Sequence, residues 1–151
     1  MSSLSERLRA DMTEAMKARD GLTRDTLRMT LTAVRTAEVS GATPRELSDD
    51  EIVAVLIKEA KKRREAAEAF DAAGRTESAE RERAEAGVLA RYLPAELTDE
   101  ELTELVRGVL TEGGFTEPRQ MGQAMKLIQP KVAGRADGKR VAAEVKRQLA
   151  G

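Results

Sequence analysis

Tyr92-Leu93-Pro94-Ala95-Glu96-Leu97-Thr98-Asp99-Glu100-Glu101 divides this chain and sets its class. A proline pushes the residue before it out of helical geometry, so a helix arriving from the N-terminal side must finish near Leu93. Thr98 followed three residues later by Glu101 is a capping box, in which hydroxyl and carboxylate each satisfy a free backbone N–H at a helix start. A stop and a strong start this close together predict a border between two helical parts, residues 1–93 and 95–151.

Beyond that border, Leu102, Leu105, Val106, Val109 and Leu110 recur at helical spacing until Gly113-Gly114. Pro118 suits the first position of a sixth helix, whose apolar side is Met121, Met125 and Ile128 and which should end before Pro130. Gly134-Arg135-Ala136-Asp137-Gly138 reads as a loop into a last helix with Asp137 as its N-cap. Before the border, Ser3-Leu4-Ser5-Glu6 reads as a capping box for a helix running to about Arg19. Asp20-Gly21 breaks it, and a second helix covers about Thr23 to Val39. Ser48-Asp49-Asp50-Glu51 opens the longest helix, which ends near Gly74, and a fourth follows through the alternating Glu and Arg of Glu77 to Glu85. The expectation is an all-α, multihelical protein of two helical subdomains, four helices and then three. The second, with fewer than 60 residues, is at a size where an isolated core is marginal, so it is expected to lean on the first or on a partner.

The residue inventory excludes most familiar chemistry. Cys and His are both absent, and Phe70, Tyr92 and Phe115 are the only aromatic residues. Thiol nucleophiles, disulfides, imidazole bases and Cys/His zinc sites are therefore ruled out. No cofactor or metal site is expected. Gly134 to Lys139 is no P-loop, having three residues between its glycines and Arg140 where Ser or Thr would hold magnesium. Met1 to Ala10 offers no apolar core for a signal peptide. The longest apolar run, Ile52 to Ile57, is far short of the roughly 20 residues that span a bilayer. A cytoplasmic protein with no membrane contact is expected.

A formal net charge of −1 conceals a segregation. Pro94 to Glu117 holds one positive and seven negative residues, whereas Pro118 to Gly151 holds eight positive and two negative. In the last helix, Lys139, Arg140, Lys146 and Arg147 fall opposite Val141, Val145 and Leu149. Lys126, Lys131 and Arg135 precede them, and Gly138 leaves backbone N–H groups accessible at the helix start, where a phosphate could dock. The plainer reading is a solvated basic face. Arg24, Arg28 and Arg35 form a second basic stripe on helix two, where their stems could equally cover the edge of the Leu27, Leu31 and Val34 face. Lys58, Lys61, Lys62, Arg63 and Arg64 can find carboxylates four residues away, within their own helix.

Met16-Lys17-Ala18-Arg19-Asp20, Thr26-Leu27-Arg28-Met29, Leu47-Ser48-Asp49-Asp50-Glu51, Lys61-Lys62-Arg63-Arg64-Glu65, Tyr92-Leu93-Pro94, Met121-Gly122-Gln123-Ala124-Met125 and Gly134-Arg135-Ala136-Asp137-Gly138-Lys139 together resemble the YqeY family. The resemblance covers nearly the whole chain. That family is similar to the tail of the B subunit of glutamine-dependent aminoacyl-tRNA amidotransferase, a two-part helical module that helps hold the tRNA body. The resemblance therefore implies association with tRNA, carried chiefly by Lys126, Lys131, Arg135 and Lys139. Gln123 and Ala142-Ala143 depart from the Lys or Asn common there. A carbon–nitrogen ligase activity with glutamine as amido-N-donor is the label such proteins inherit. This chain shows no ATP cradle and no glutaminase nucleophile to support it.

Two kinds of partner follow. Folded RNA, tRNA included, would be met through phosphate and shape, because three scattered aromatics cannot stack bases. The candidate contacts are Lys126, Lys131, Arg135, Lys139, Arg140, Lys146, Arg147, Arg24 and Arg28. A protein partner is the alternative, received in an apolar groove between the subdomains lined by the adaptable Met121 and Met125, unless these simply fill the core.

Overall fold

In a computed structural model, which describes residues 2–151, the chain is all-helical and forms two compact units, Met1–Leu93 and Pro94–Gly151. The first contains α1 (Ser3–Lys17), α2 (Gly21–Glu38), α3 (Asp49–Ala72) and α4 (Thr76–Ala90). Short connections make α1–α2 and α3–α4 helical hairpins, and the hairpins pack on each other around Leu8, Leu27, Ile52, Leu56, Val88 and Leu89. The second contains α5 (Asp99–Gly113), a 3₁₀ turn (Pro118–Gln120), α6 (Met121–Val132) and α7 (Gly138–Ala150). Each pair of these three α-helices is in contact around Val106, Ile128, Val132, Val141 and Val145, all fully buried.

Capping residues set most helix starts. Ser48 and Thr98 form complete capping boxes with Glu51 and Glu101. Asp20 accepts from the Thr23 N–H, and Asp137 from the Lys139 N–H. Gly114, at φ 68°, supplies the left-handed residue that ends α5.

Two expectations are corrected. Ser3 is not the cap of α1. Ser2 is, accepting from the Ser5 N–H at 3.1 Å. The Ser3 hydroxyl instead donates to Asp49 Oδ2 at 2.7 Å, and the Leu4 N–H donates to Asp49 Oδ1 at 3.1 Å. A carboxylate in the first turn of α3 thus also serves the start of α1, a long-range contact that local pattern cannot show. The Ser3 hydrogen bond is the main cause that holds the Asp49 carboxyl below its ordinary range. The second correction concerns Pro130, which lies inside α6 rather than beyond it. It sits on the exposed side, where water can hydrate the carbonyl left without a partner, and fully buried Val132 anchors the final turn to the core.

Candidate nucleic-acid interface

The second unit begins with an extended segment tied down by the basic residues themselves. The Leu97 N–H donates to the Arg135 carbonyl at 2.7 Å, and Arg135 Nε donates to the Ala95 carbonyl at 2.9 Å. Arg140 Nη2 donates to the Leu97 carbonyl at 2.9 Å and to Asp99 Oδ1 at 3.0 Å. Two of the candidate cations therefore fasten Pro94–Asp99 to the end of the chain. Lys131 lies 3.9 Å from a Glu112 oxygen, joining α6 to α5. The Arg135 charge also helps to lower the Glu101 carboxyl, after the hydrogen bonds from the Thr98 backbone and side chain. The acidic first half of this unit and its basic second half fold onto each other and neutralise one another in part.

Along α7, Arg147 is held by Glu144, with Nε 3.0 Å from Oε1 and Nη2 2.5 Å from Oε2. Lys139 is exposed. Its N–H bonds the Asp137 carboxylate, so the start of α7 already holds an anion, which repels a phosphate approaching the same N–H groups. Lys146 is exposed and makes no ion pair or hydrogen bond among the described residues.

Around the 3₁₀ turn and α6 the arrangement is different. Arg119, Gln120, Gly122, Gln123 and Lys126 line an open concavity of about 530 Å³ with no acidic side chain in its wall. Lys126 makes no ion pair among the described residues, while Arg119 pairs with Glu117 at 2.5 Å and remains largely exposed. Arg119 and Gln123 escaped the sequence reading as contact residues. Their signal was present: positions 119, 123 and 126 share a helical face. Met121 and Met125 are half-buried and pack against the core of this unit, which favours core filling over a groove.

In the first unit, Arg24 pairs with Asp25 at 2.9 Å. Arg28 lies on another concavity with Met12, Leu31 and Arg35. Lys61 reaches Glu65 within α3, as its spacing suggests. Arg63 does more: only 5% exposed, it lies 3.7 Å from Glu59 and 3.4 Å from Glu85 of α4. Tyr92 closes a mixed-charge hollow, donating to Asp11 Oδ2 at 2.6 Å beneath the Arg7 guanidinium. Burial, and then that hydrogen bond, push its hydroxyl well above the ordinary phenol range, so it serves as a donor and not as a base.

The profile described as "Yqey-like protein" matches residues 5–149. The chain belongs to the YqeY family. A search among curated proteins returned no match. Among the described residues no helix is long and apolar enough to cross a membrane.

Proposed function

We propose that this YqeY-family chain is a non-catalytic module that associates with folded RNA, tRNA being the class that its resemblance to the amidotransferase tail implies. The contacts are to phosphate and come from exposed cations of the 3₁₀ turn, α6 and α7. The observation that carries the reading is the concavity where Arg119 and Lys126 flank Gln123 with no carboxylate in the wall. Cations paired with neutral amide donors suit phosphate and sugar oxygens, and the scarcity of aromatics argues against base stacking. Lys146 extends the contact along α7. Arg135 and Arg140, already engaged with backbone carbonyls, act by holding the segment before α5 in place.

The test is tRNA filter binding over a salt series with the full chain. Affinity should fall linearly with the logarithm of salt concentration. Arg119→Glu with Lys126→Glu should weaken binding about tenfold or more at fixed salt and flatten the slope by about 2. Arg135→Glu is avoided, since it would break the Ala95 contact. Unchanged affinity and slope in the double variant, or no salt-dependent binding by the unaltered protein, would overturn the reading.

A further inference from the structure

The first unit carries a groove that the RNA reading does not use. It lies between α1 and α2 and has a volume of about 340 Å³. Met12 and Leu31, half-buried against the core, and the exposed Val39 give it an apolar floor, and Arg28 and Arg35 stand at the rim. Val39 is 45% exposed. No carboxylate lines the groove. The nearest one belonging to Arg35 is that of Glu38, at 4.0 Å; it is mostly buried and its second oxygen accepts from the Leu47 N–H at 3.1 Å. The Arg35 side chain itself is 74% exposed.

We infer that this groove is a docking site for an acidic amphipathic helix of a partner protein. Three features select that occupant. A trough between two packed helices is the shape that receives a third helix by its apolar face. Arg28 and Arg35 are seven residues apart on α2, about 10 Å along its axis at 1.5 Å per residue, which matches carboxylates seven apart on a helix lying alongside. The apolar floor sets this site apart from one for RNA, because phosphates would pair with the arginines and leave Val39 and the outer faces of Met12 and Leu31 in water. Met12 adds a flexible side chain able to adjust to the helix it receives.

The probe is a fluorescein-labelled synthetic peptide of helix-forming composition, with leucines at i, i+3 and i+7 and glutamates seven apart beside them. Fluorescence anisotropy with the full chain should show saturable binding. Arg28→Glu with Arg35→Glu should weaken it about tenfold or more, since two attractive rim pairs become repulsive. The same peptide with lysines for its glutamates should recover binding to that variant. Both arginines are exposed, so the variant should keep its helical circular dichroism. No saturable binding to the glutamate peptide, or equal binding by the charge-reversed variant, would overturn the proposal. Displacement of the peptide by tRNA would overturn it in favour of RNA. Concentration-dependent dimers lost on charge reversal would overturn it in favour of a second copy.

Discussion

Every buried polar or charged side chain among the described residues lies in the first unit, namely Ser5, Thr23, Thr26, Thr30, Arg63 and Glu85. The buried residues of the second are Leu, Val, Ile and Ala throughout. Two ways of specifying a helical bundle stand side by side in one chain. In the first unit the ion pair between Arg63 and Glu85 closes only when α4 lies in one register against α3. Arg63 Nη1 also donates to the Glu59 carbonyl at 3.1 Å, and Arg81 supports Glu85 from outside at 3.3 Å. The Arg63 Nε and Thr26 Oγ1 atoms nonetheless have no hydrogen-bond partner, and a buried pair with an unsatisfied atom is weak evidence of added stability. In the second unit, which is much shorter, apolar fit alone does this work and the charges act at the periphery through Arg135 and Arg140.

The contrast is broken most sharply by opening a cavity in the smaller core. Ile128→Ala should cost about 2–5 kcal/mol. That is enough to unfold a unit of this size, and hydrogen exchange should show α5–α7 unprotected while α1–α4 stay protected. If both units lost protection together, they would share one cooperative core.

The next largest effect tests the buried pair. Glu85→Leu leaves Arg63 with Glu59 as its main carboxylate and should destabilise by about 3 kcal/mol in denaturant unfolding. Adding Arg63→Met should recover most of that loss, because a buried pair replaced by apolar side chains is often neutral. A double variant less stable than Glu85→Leu alone would mean that the pair is a net source of stability.

A smaller loss is expected at the edge of the second unit. Arg140→Ala removes two hydrogen bonds from a charged donor and should cost about 1.5–3 kcal/mol, read as a lower unfolding midpoint. The equivalent change at Lys126, which holds nothing together, should leave the midpoint unchanged.

The smallest effect is electrostatic and confined to the surface of the first unit. The Glu51 carboxyl is held down to about 2, first by the hydrogen bond from Arg45 and then by the Ser48 N–H. A folded-state value below the unfolded one adds stability above the unfolded value of about 4.5, and that stability is lost as pH falls toward 2. Arg45→Ala should therefore raise the Glu51 titration midpoint, observable by carboxyl NMR, and reduce the acid sensitivity of the first unit.

Much of the fold was legible because its signals are local. Ser48–Glu51 and Thr98–Glu101 cap as their spacing demands, and the apolar faces of α5 and α7 are the faces that bury. Where local pattern misled, a distant residue decided. Ser3 has the form of a cap, yet Asp49 claims its hydroxyl. Pro130 has the form of a helix stop, yet Val132 holds the turn beyond it on the core. Arg63 reads from its spacing as a cation answered within its own helix, and Glu59 does lie near it, yet α4 also brings Glu85 against it. The candidate interface was legible as a list of cations but not as a surface. Resemblance and charge point to Lys126, while Arg119 and Gln123, whose shared face is visible in the spacing, gain meaning as contacts once the 3₁₀ turn and α6 set them around one concavity.

The sequence by itself determined the helical class, most of the helix starts and the chemistry that is absent, because capping, helical periodicity and residue inventory act within a few positions. It also determined that acidic residues precede basic ones in the second unit. Only the tertiary structure decided what that segregation becomes. Packing α6 and α7 against α5 brings Arg140 to Asp99, Lys131 to Glu112 and Arg135 to the Ala95 carbonyl, while Lys126 and Lys146 remain exposed. The physical reason is range. A linear charge count treats every cation alike, whereas the interaction of a charge is set by what lies within a few ångströms, and in a folded chain those neighbours come from far along the sequence.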